Sequence, residues 1–161
     1  MSMRRWIFLL SCGTLPLQSA FMTQNAVIIY VSERSDLSVT SNPAAMVISL
    51  DSSGYGRVID DSTYYSVYSN KKEDEVKITG SIKRGGSMPD HTTLSVQLGS
   101  SIGTSLGLQT LTTSNVDLVT DLPAQASDTG QITYLFQVTD GWTIPAQTIT
   151  RTIVFTLMEK D

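Results

Sequence analysis

Four stretches of the chain alternate apolar and polar residues with a period of two. They read VKITGSIK at 76–83, TLSVQL at 93–98, ITYLFQV at 132–138 and TITRTIVFTL at 148–157. Successive side chains of a β-strand point to opposite faces, so this period places apolar residues on one face and polar residues on the other. Strands with one packed and one solvated face are typical of antiparallel sheets.

Polar and glycine-rich turn residues separate these stretches, and no segment shows a convincing helical stripe. The pattern predicts short strands near 26–32, 36–40, 45–50, 56–60, 63–69, 75–84, 92–99, 107–120 (in two pieces), 131–139 and 148–158. Many short strands without helices favour an all-β fold, an antiparallel immunoglobulin-like β-sandwich. A small β-barrel is the alternative.

The first twenty residues predict an export signal. Met1–Arg5 is basic, Trp6–Leu10 is apolar, and Ser19 and Ala20 are small residues suited to cleavage before Phe21. The apolar stretch is far shorter than the ~20 residues of a membrane-spanning helix, so we expect no membrane insertion after cleavage. The predicted organisation is therefore a signal peptide at 1–20 and a single β-sandwich domain at 21–161. The predicted location is secreted, periplasmic or at the cell surface.

Cys12 is the single cysteine of the chain. Cleavage after Ala20 would remove it and leave an exported chain without disulfides, whose stability must come from packing. Leu10-Ser11-Cys12 also has some likeness to a lipoprotein cleavage site, so lipidation at Cys12 stays open as an alternative.

Charge and composition argue against several classes of function. The net charge is −4 and loss of Arg4 and Arg5 with the signal would make it −6, which disfavours nucleic acid as a partner. His91 is the single histidine and lies in a turn, so neither a zinc site nor a catalytic base is indicated. The acids occur in turns, without the spacing of known calcium loops. We therefore predict a non-catalytic protein with no cofactor and no metal.

Aromatic residues indicate one alternative function. Tyr64, Tyr65 and Tyr68 lie in the segment STYYSVYS, and Trp142 follows a turn. Exposed rings can stack on sugars, so these four residues are candidates for a glycan- or ligand-binding module, with core packing as the competing interpretation.

The segment NAVIIYV at 25–31 is apolar on both faces of a strand. Such a strand is either buried between its own sheets or covers the core of another molecule. The residues that would pair with a partner are Ala26, Val27, Ile28, Ile29, Tyr30 and Val31.

The signal, the Ser/Thr-rich β-domain, this apolar segment and the alternating ending TITRTIVFTLMEKD together resemble bacterial fimbrial subunits of the chaperone–usher kind. The resemblance implies a pilin-like structural or adhesive protein that acts through strand edges. A fimbrium is one location that the resemblance allows. Its partners would be further copies of itself or a periplasmic chaperone. In the terminal strand, the implied pairing residues are Ile149, Ile153, Phe155 and Leu157.

Overall fold

The computed structural model describes residues 33–40, 43, 45–72, 74–83, 86–141 and 149–160. These residues contain nine β-strands and no α-helix. The strands are β1 (Ser35–Thr40), β2 (Gly56–Asn70), β3 (Val76–Ile82), β4 (Thr92–Leu98), β5 (Thr104–Ser105), β6 (Gln109–Thr110), β7 (Val116–Leu122), β8 (Gln125–Val138) and β9 (Ile153–Glu159).

The strands form two antiparallel sheets that pack face to face. The first sheet has the order β1-β2-β8-β4-β6 and the second has the order β5-β7-β3-β9. Consecutive strands often lie in different sheets, as β2 and β3 do, and as β7 and β8 do. This arrangement confirms the predicted all-β sandwich. In the described residues the strands form two separate sheets, so the alternative of one sheet closed into a barrel does not apply to them.

The core lies between the sheets and consists of the inward residues of the alternating strands. Val76, Ile78 and Ile82 of β3, and Val96 and Leu98 of β4, are each at most 2 % exposed. Burial of one such side chain contributes about 1.5–3 kcal/mol. The period of two in the sequence therefore corresponds directly to the packed face of each sheet.

A bulge divides the long strand β2 and changes which of its residues face the core. The register with β8 shifts between Asp60 and Thr63. The Oδ1 atom of Asp60 accepts hydrogen bonds from the N–H of Ser62 at 3.2 Å and from its hydroxyl at 2.8 Å. This local turn competes with the regular ladder and inserts one extra residue. After it, Tyr65 and the odd-numbered residues face inward.

Most of the predicted strands are present with altered bounds. The segments 36–40, 75–84, 92–99 and 148–158 correspond to β1, β3, β4 and β9, and 107–120 divides into β6 and β7. The segments 56–60 and 63–69 belong to the single bulged strand β2. The predicted strand at 26–32 lies outside the described residues.

Two predictions of local structure were wrong. Residues 45–50 form no strand, although Ile48 and Leu50 approach Gly56 at the start of β2. The strand predicted at 131–139 begins earlier, at Gln125 of β8, because hydrogen bonds from another loop compensate the burial of Asp128 within it. The short strand β5 was not predicted, since two residues carry no periodicity.

Candidate binding surfaces

The first candidate surface is the outer side of strand β9. In the described part of the chain, β9 pairs with β3, and no described strand pairs with its other side. At its two ends, the Lys83 N–H donates to the Thr152 carbonyl at 2.8 Å and the Lys160 N–H donates to the Glu75 carbonyl at 2.9 Å. Thr152 and Lys160 directly flank β9 and both have even numbers. The register between β3 and β9 is unbroken from one to the other.

Hydrogen-bonded and non-hydrogen-bonded pairs alternate along an antiparallel ladder. The even-numbered residues from Thr152 to Lys160 therefore direct their backbone groups at β3. The residues between them direct N–H and C=O away from the sheet. We call these outward backbone groups the β9 edge; they belong to Ile153, Phe155, Leu157 and Glu159.

Three of the four side chains along the β9 edge are apolar and incompletely covered. Ile153, Phe155 and Leu157 pack against the core but are only half-buried. On the opposite face of the strand, Val154 is 41 % and Met158 is 37 % exposed. Backbone groups that no described strand pairs with, beside apolar side chains, have the chemistry of an acceptor for an added strand.

Strand β1 lies close to β9 on the same side of the sandwich. Its inward residues are also incompletely covered, since Leu37 is half-buried and Val39 is 40 % exposed. This side of the molecule therefore has an apolar seam between the two sheets.

The predicted pairing residues divide into two groups. Ile153, Phe155 and Leu157 lie on the β9 edge, and Ile149 is half-buried in the segment before it. The apolar segment 26–31 lies outside the described residues.

The second candidate surface is the outer face of the first sheet. Tyr64 and Tyr68 are 52 % and 46 % exposed and lie on the same face of β2. Tyr64 is opposite Thr40 of β1 and Gln131 of β8, so its neighbours in the sheet are polar. Two exposed rings therefore lie on a face of hydroxyl and amide groups.

A shallow open depression of about 520 Å³ lies beside Tyr68 on this face. The hydroxyls of Ser38 and Ser66, which are 2.7 Å apart, line it. At one end Arg34 and Asp36 form an ion pair at 2.5 Å. An aromatic ring, hydroxyls and an ion pair are groups that can bind a polar, ring-shaped ligand.

The other two aromatic candidates do not contribute to this surface. Tyr65 was predicted as a possible stacking residue, but it is 1 % exposed and packs in the core because of the bulge in β2. Its hydroxyl donates to the carbonyl of Gly99 at 2.8 Å, and burial raises its pKa to about 12. Trp142 lies outside the described residues.

Sequence reasoning missed the polar network around Asp128. This carboxylate is 5 % exposed and accepts hydrogen bonds from the hydroxyls of Ser100 and Ser101, both at 2.6 Å. The N–H of Ser101 donates to it as well, at 3.2 Å. The signal was present, since Ala126, Asp128 and Ile132 follow the inward period of β8. The network fixes a loop and offers no exposed reactive group.

The remaining titratable candidates lie in turns. His91 is exposed, with a φ of 60°, and its carbonyl accepts a hydrogen bond from Thr139. Asp51 accepts hydrogen bonds from Ser53 and from the N–H of Tyr55, which lower its pKa from the ordinary 3.8. Across the described residues, no group of three or more His, Cys, Asp or Glu side chains could hold a metal ion.

Comparison of the chain with known protein families and with curated proteins found no match. In the part of the chain that the structure describes, no helix is long and apolar enough to cross a membrane.

Proposed function

We propose that the protein is an exported, non-catalytic structural or adhesive β-sandwich that acts by strand addition at the β9 edge. The observation that carries this proposal is the orientation of β9. Of the four residues with outward backbone groups, Ile153, Phe155 and Leu157 have apolar side chains that are only partly covered. The proposed occupant is residues 26–31 of a second copy, as in a pilin-like assembly.

The length and composition of both segments support this pairing. β9 contains seven residues, so its edge can accept a strand about as long as residues 26–31. An added strand would extend the second sheet, with one face toward the seam at Leu37 and Val39 and the other face beside Val154 and Met158. A strand that is apolar on both faces suits both environments. Each backbone hydrogen bond formed at the edge contributes about 0.5–1.5 kcal/mol.

Two pairs of substitutions test the proposal by complementation. Ile28→Asp with Ile29→Asp places a charge on each face of the donor segment. Val154→Lys with Met158→Lys places charges beside the acceptor edge at exposed positions, which natural edge strands use to prevent pairing. We expect the unchanged protein to form multimers in size-exclusion chromatography with light scattering, and each double variant to be monomeric with an unchanged circular dichroism spectrum.

Mixing the two variants then provides the decisive result. The first variant keeps an intact acceptor and the second keeps an intact donor, so a one-to-one complex should form. A control pair at exposed positions, Val47→Asp with Ile59→Asp, should leave the multimers unchanged. A monomeric unchanged protein, or variants that fail to complement, would contradict assembly by strand exchange. Multimers that form only after an exported chaperone is added would contradict spontaneous self-assembly.

A second candidate function is glycan binding at the outer face of the first sheet. The observation that favours it is the pair of exposed rings, Tyr64 and Tyr68, beside the depression lined by serine hydroxyls and the Arg34–Asp36 ion pair. The alternation of ring and hydroxyl groups suits a sugar, which has an apolar ring face and polar edges.

Substitution of the two rings tests this second function. The protein is applied to a panel of immobilised oligosaccharides, and the affinity for any that bind is measured by titration calorimetry. We expect Tyr64→Ala and Tyr68→Ala each to weaken binding about tenfold, which is about 1.4 kcal/mol. Ile59→Ala, at an exposed position on the other side of the bulge, is the matched control. Binding that neither substitution weakens would contradict glycan binding at this surface.

A further inference from the structure

The residues that precede β1 lie beside the C-terminal end of β9. The Asn70 N–H, at the end of β2, donates to the Arg34 carbonyl at 3.0 Å, so the chain already follows β2 one residue before β1 begins. The residue after Asn70 is Lys71, and it forms an ion pair with Glu159, the last residue of β9. The chain therefore enters β1 close to Glu159.

The distance from this point to the β9 edge is short. Strands β1 and β9 belong to different sheets, yet Cα atoms of the two strands approach within 8 Å of each other. Only residues 32 and 33 separate the apolar segment 26–31 from Arg34. The three peptide units from Val31 to Arg34 span up to ~11 Å, and packed sheets are ~10 Å apart. The connection is therefore long enough for the segment to cross to the β9 edge of its own copy.

The short connection also fixes the direction of such a pairing. Val31 has to stay near the Glu159 end of β9, because two residues link it to Arg34. The rest of the segment then extends along β9 toward Ile153, so that the segment and β9 run in parallel. An antiparallel pairing would place Val31 beside Ile153, about 20 Å away along the seven residues of β9, which the connection cannot span.

A hairpin with β1 is the alternative place for the segment within one copy. Because Arg34 continues the ladder with β2, the loop of this hairpin would be Ser32 and Glu33. Two-residue hairpin loops need positive φ angles and select Gly, Asn or Asp. The outer face of the segment would also adjoin the exposed polar side chains of Asp36 and Ser38. The β9 edge has partly covered apolar side chains on both faces, so it suits a segment that is apolar on both faces.

We propose that, in a copy that has not assembled, residues 26–31 pair in parallel with the β9 edge of the same chain, and that assembly exchanges this pairing for one with a neighbour. The inference rests on the proposed function, since it names what controls the same edge. The exchanged element is identical in both states, as in domain swapping. Each copy has to open its own edge before it accepts a neighbour's segment, so internal pairing restrains assembly.

Paramagnetic relaxation in NMR tests the pairing within one chain. A nitroxide is attached to Asn25→Cys in the Cys12→Ser chain, whose single cysteine is then the introduced one. The protein is labelled with nitrogen-15, and the monomer fraction is taken from size-exclusion chromatography. The label precedes the segment, so parallel pairing should broaden the amide signal of Ile153 more strongly than that of Glu159.

Two controls separate pairing within a chain from pairing between chains. Ile28→Asp with Ile29→Asp in the nitroxide chain should abolish the broadening at Ile153. Nitrogen-15 chains without nitroxide, mixed with nitroxide chains without nitrogen-15, should show no broadening in the monomer fraction. Broadening that requires this mixture, broadening stronger at Glu159, or no broadening at all would overturn the proposal. A protein that elutes only as multimers at every concentration would overturn it as well.

The rate of assembly separates this inference from the proposed function. In the mixture of the two complementing double variants, one has an open acceptor edge and the other a free donor segment, so no internal pairing has to open. We expect the unchanged monomer to assemble at least tenfold more slowly than this mixture at equal concentration, as followed by light scattering. Equal rates would overturn internal pairing and leave strand addition standing. Variants that fail to complement would contradict strand addition between copies, whether or not Ile153 is broadened.

Discussion

Asp128 illustrates, at the scale of one residue, how a buried charge can organise a surface. Burial by itself would raise the pKa of this carboxyl group. The hydrogen bonds from Ser100 and Ser101 outweigh burial and hold its pKa below the ordinary 3.8. The ionised form is therefore the one that accepts these hydrogen bonds and fixes the loop that follows β4.

This residue predicts a dependence of stability on pH. Because the pKa is lower in the folded than in the unfolded chain, its contribution is fully present above about pH 4 and is lost as the pH falls through the folded value. Asp128→Asn should lower the free energy of unfolding at neutral pH by about 1–3 kcal/mol and make the acid-side slope shallower. Denaturant titrations across the acid range measure both effects. Asp90→Asn, in an exposed turn, is the control, and equal slopes for the two variants would show that Asp128 does not carry this dependence.

At the scale of elements, the fold was predictable because apolar and polar residues alternate along the strands. This alternation marks one face of each strand as the packed face. Strands β3 and β4 alternate between inward and outward residues and were predicted within two residues of their observed bounds, whereas β9 begins five residues after the predicted start at 148. The pattern reports which residues share a face, but it does not report where a strand lies in its sheet. That β9 lies at an edge depends on contacts distant in sequence, and the alternation contains no information about them.

The tyrosines of β2 show where sequence reasoning failed. That Tyr64 and Tyr68 share a face follows from their spacing, and the structure agrees. That Tyr65 faces the core depends on the bulge at Asp60, where a side-chain turn inserts one residue. A bulge leaves only a weak trace in sequence, since the same Asp-x-Ser arrangement also forms ordinary turns.

At the scale of the whole sandwich, its two sides differ in chemistry. The side of β1 and β9 has backbone groups that pair with no strand of the described residues, an apolar seam and flanking charges such as Arg34 and Glu159. On the side of β5 and β6, residues 92–116 contain no charged side chain and the two strands have two residues each. In the proposed strand addition the donor and acceptor surfaces differ, so each copy could bind a further copy in an open-ended assembly.

Hydrogen exchange at the backbone amides of β9 tests the central claim most directly. The amides of Val154 and Thr156 bond to β3 and should be protected in every form of the protein. The amides of Ile153, Phe155 and Leu157 point outward, so they should exchange rapidly in the monomeric Ile28→Asp, Ile29→Asp variant and slowly in assemblies of the unchanged protein. Equal protection of these three amides in both samples would contradict strand addition at the β9 edge.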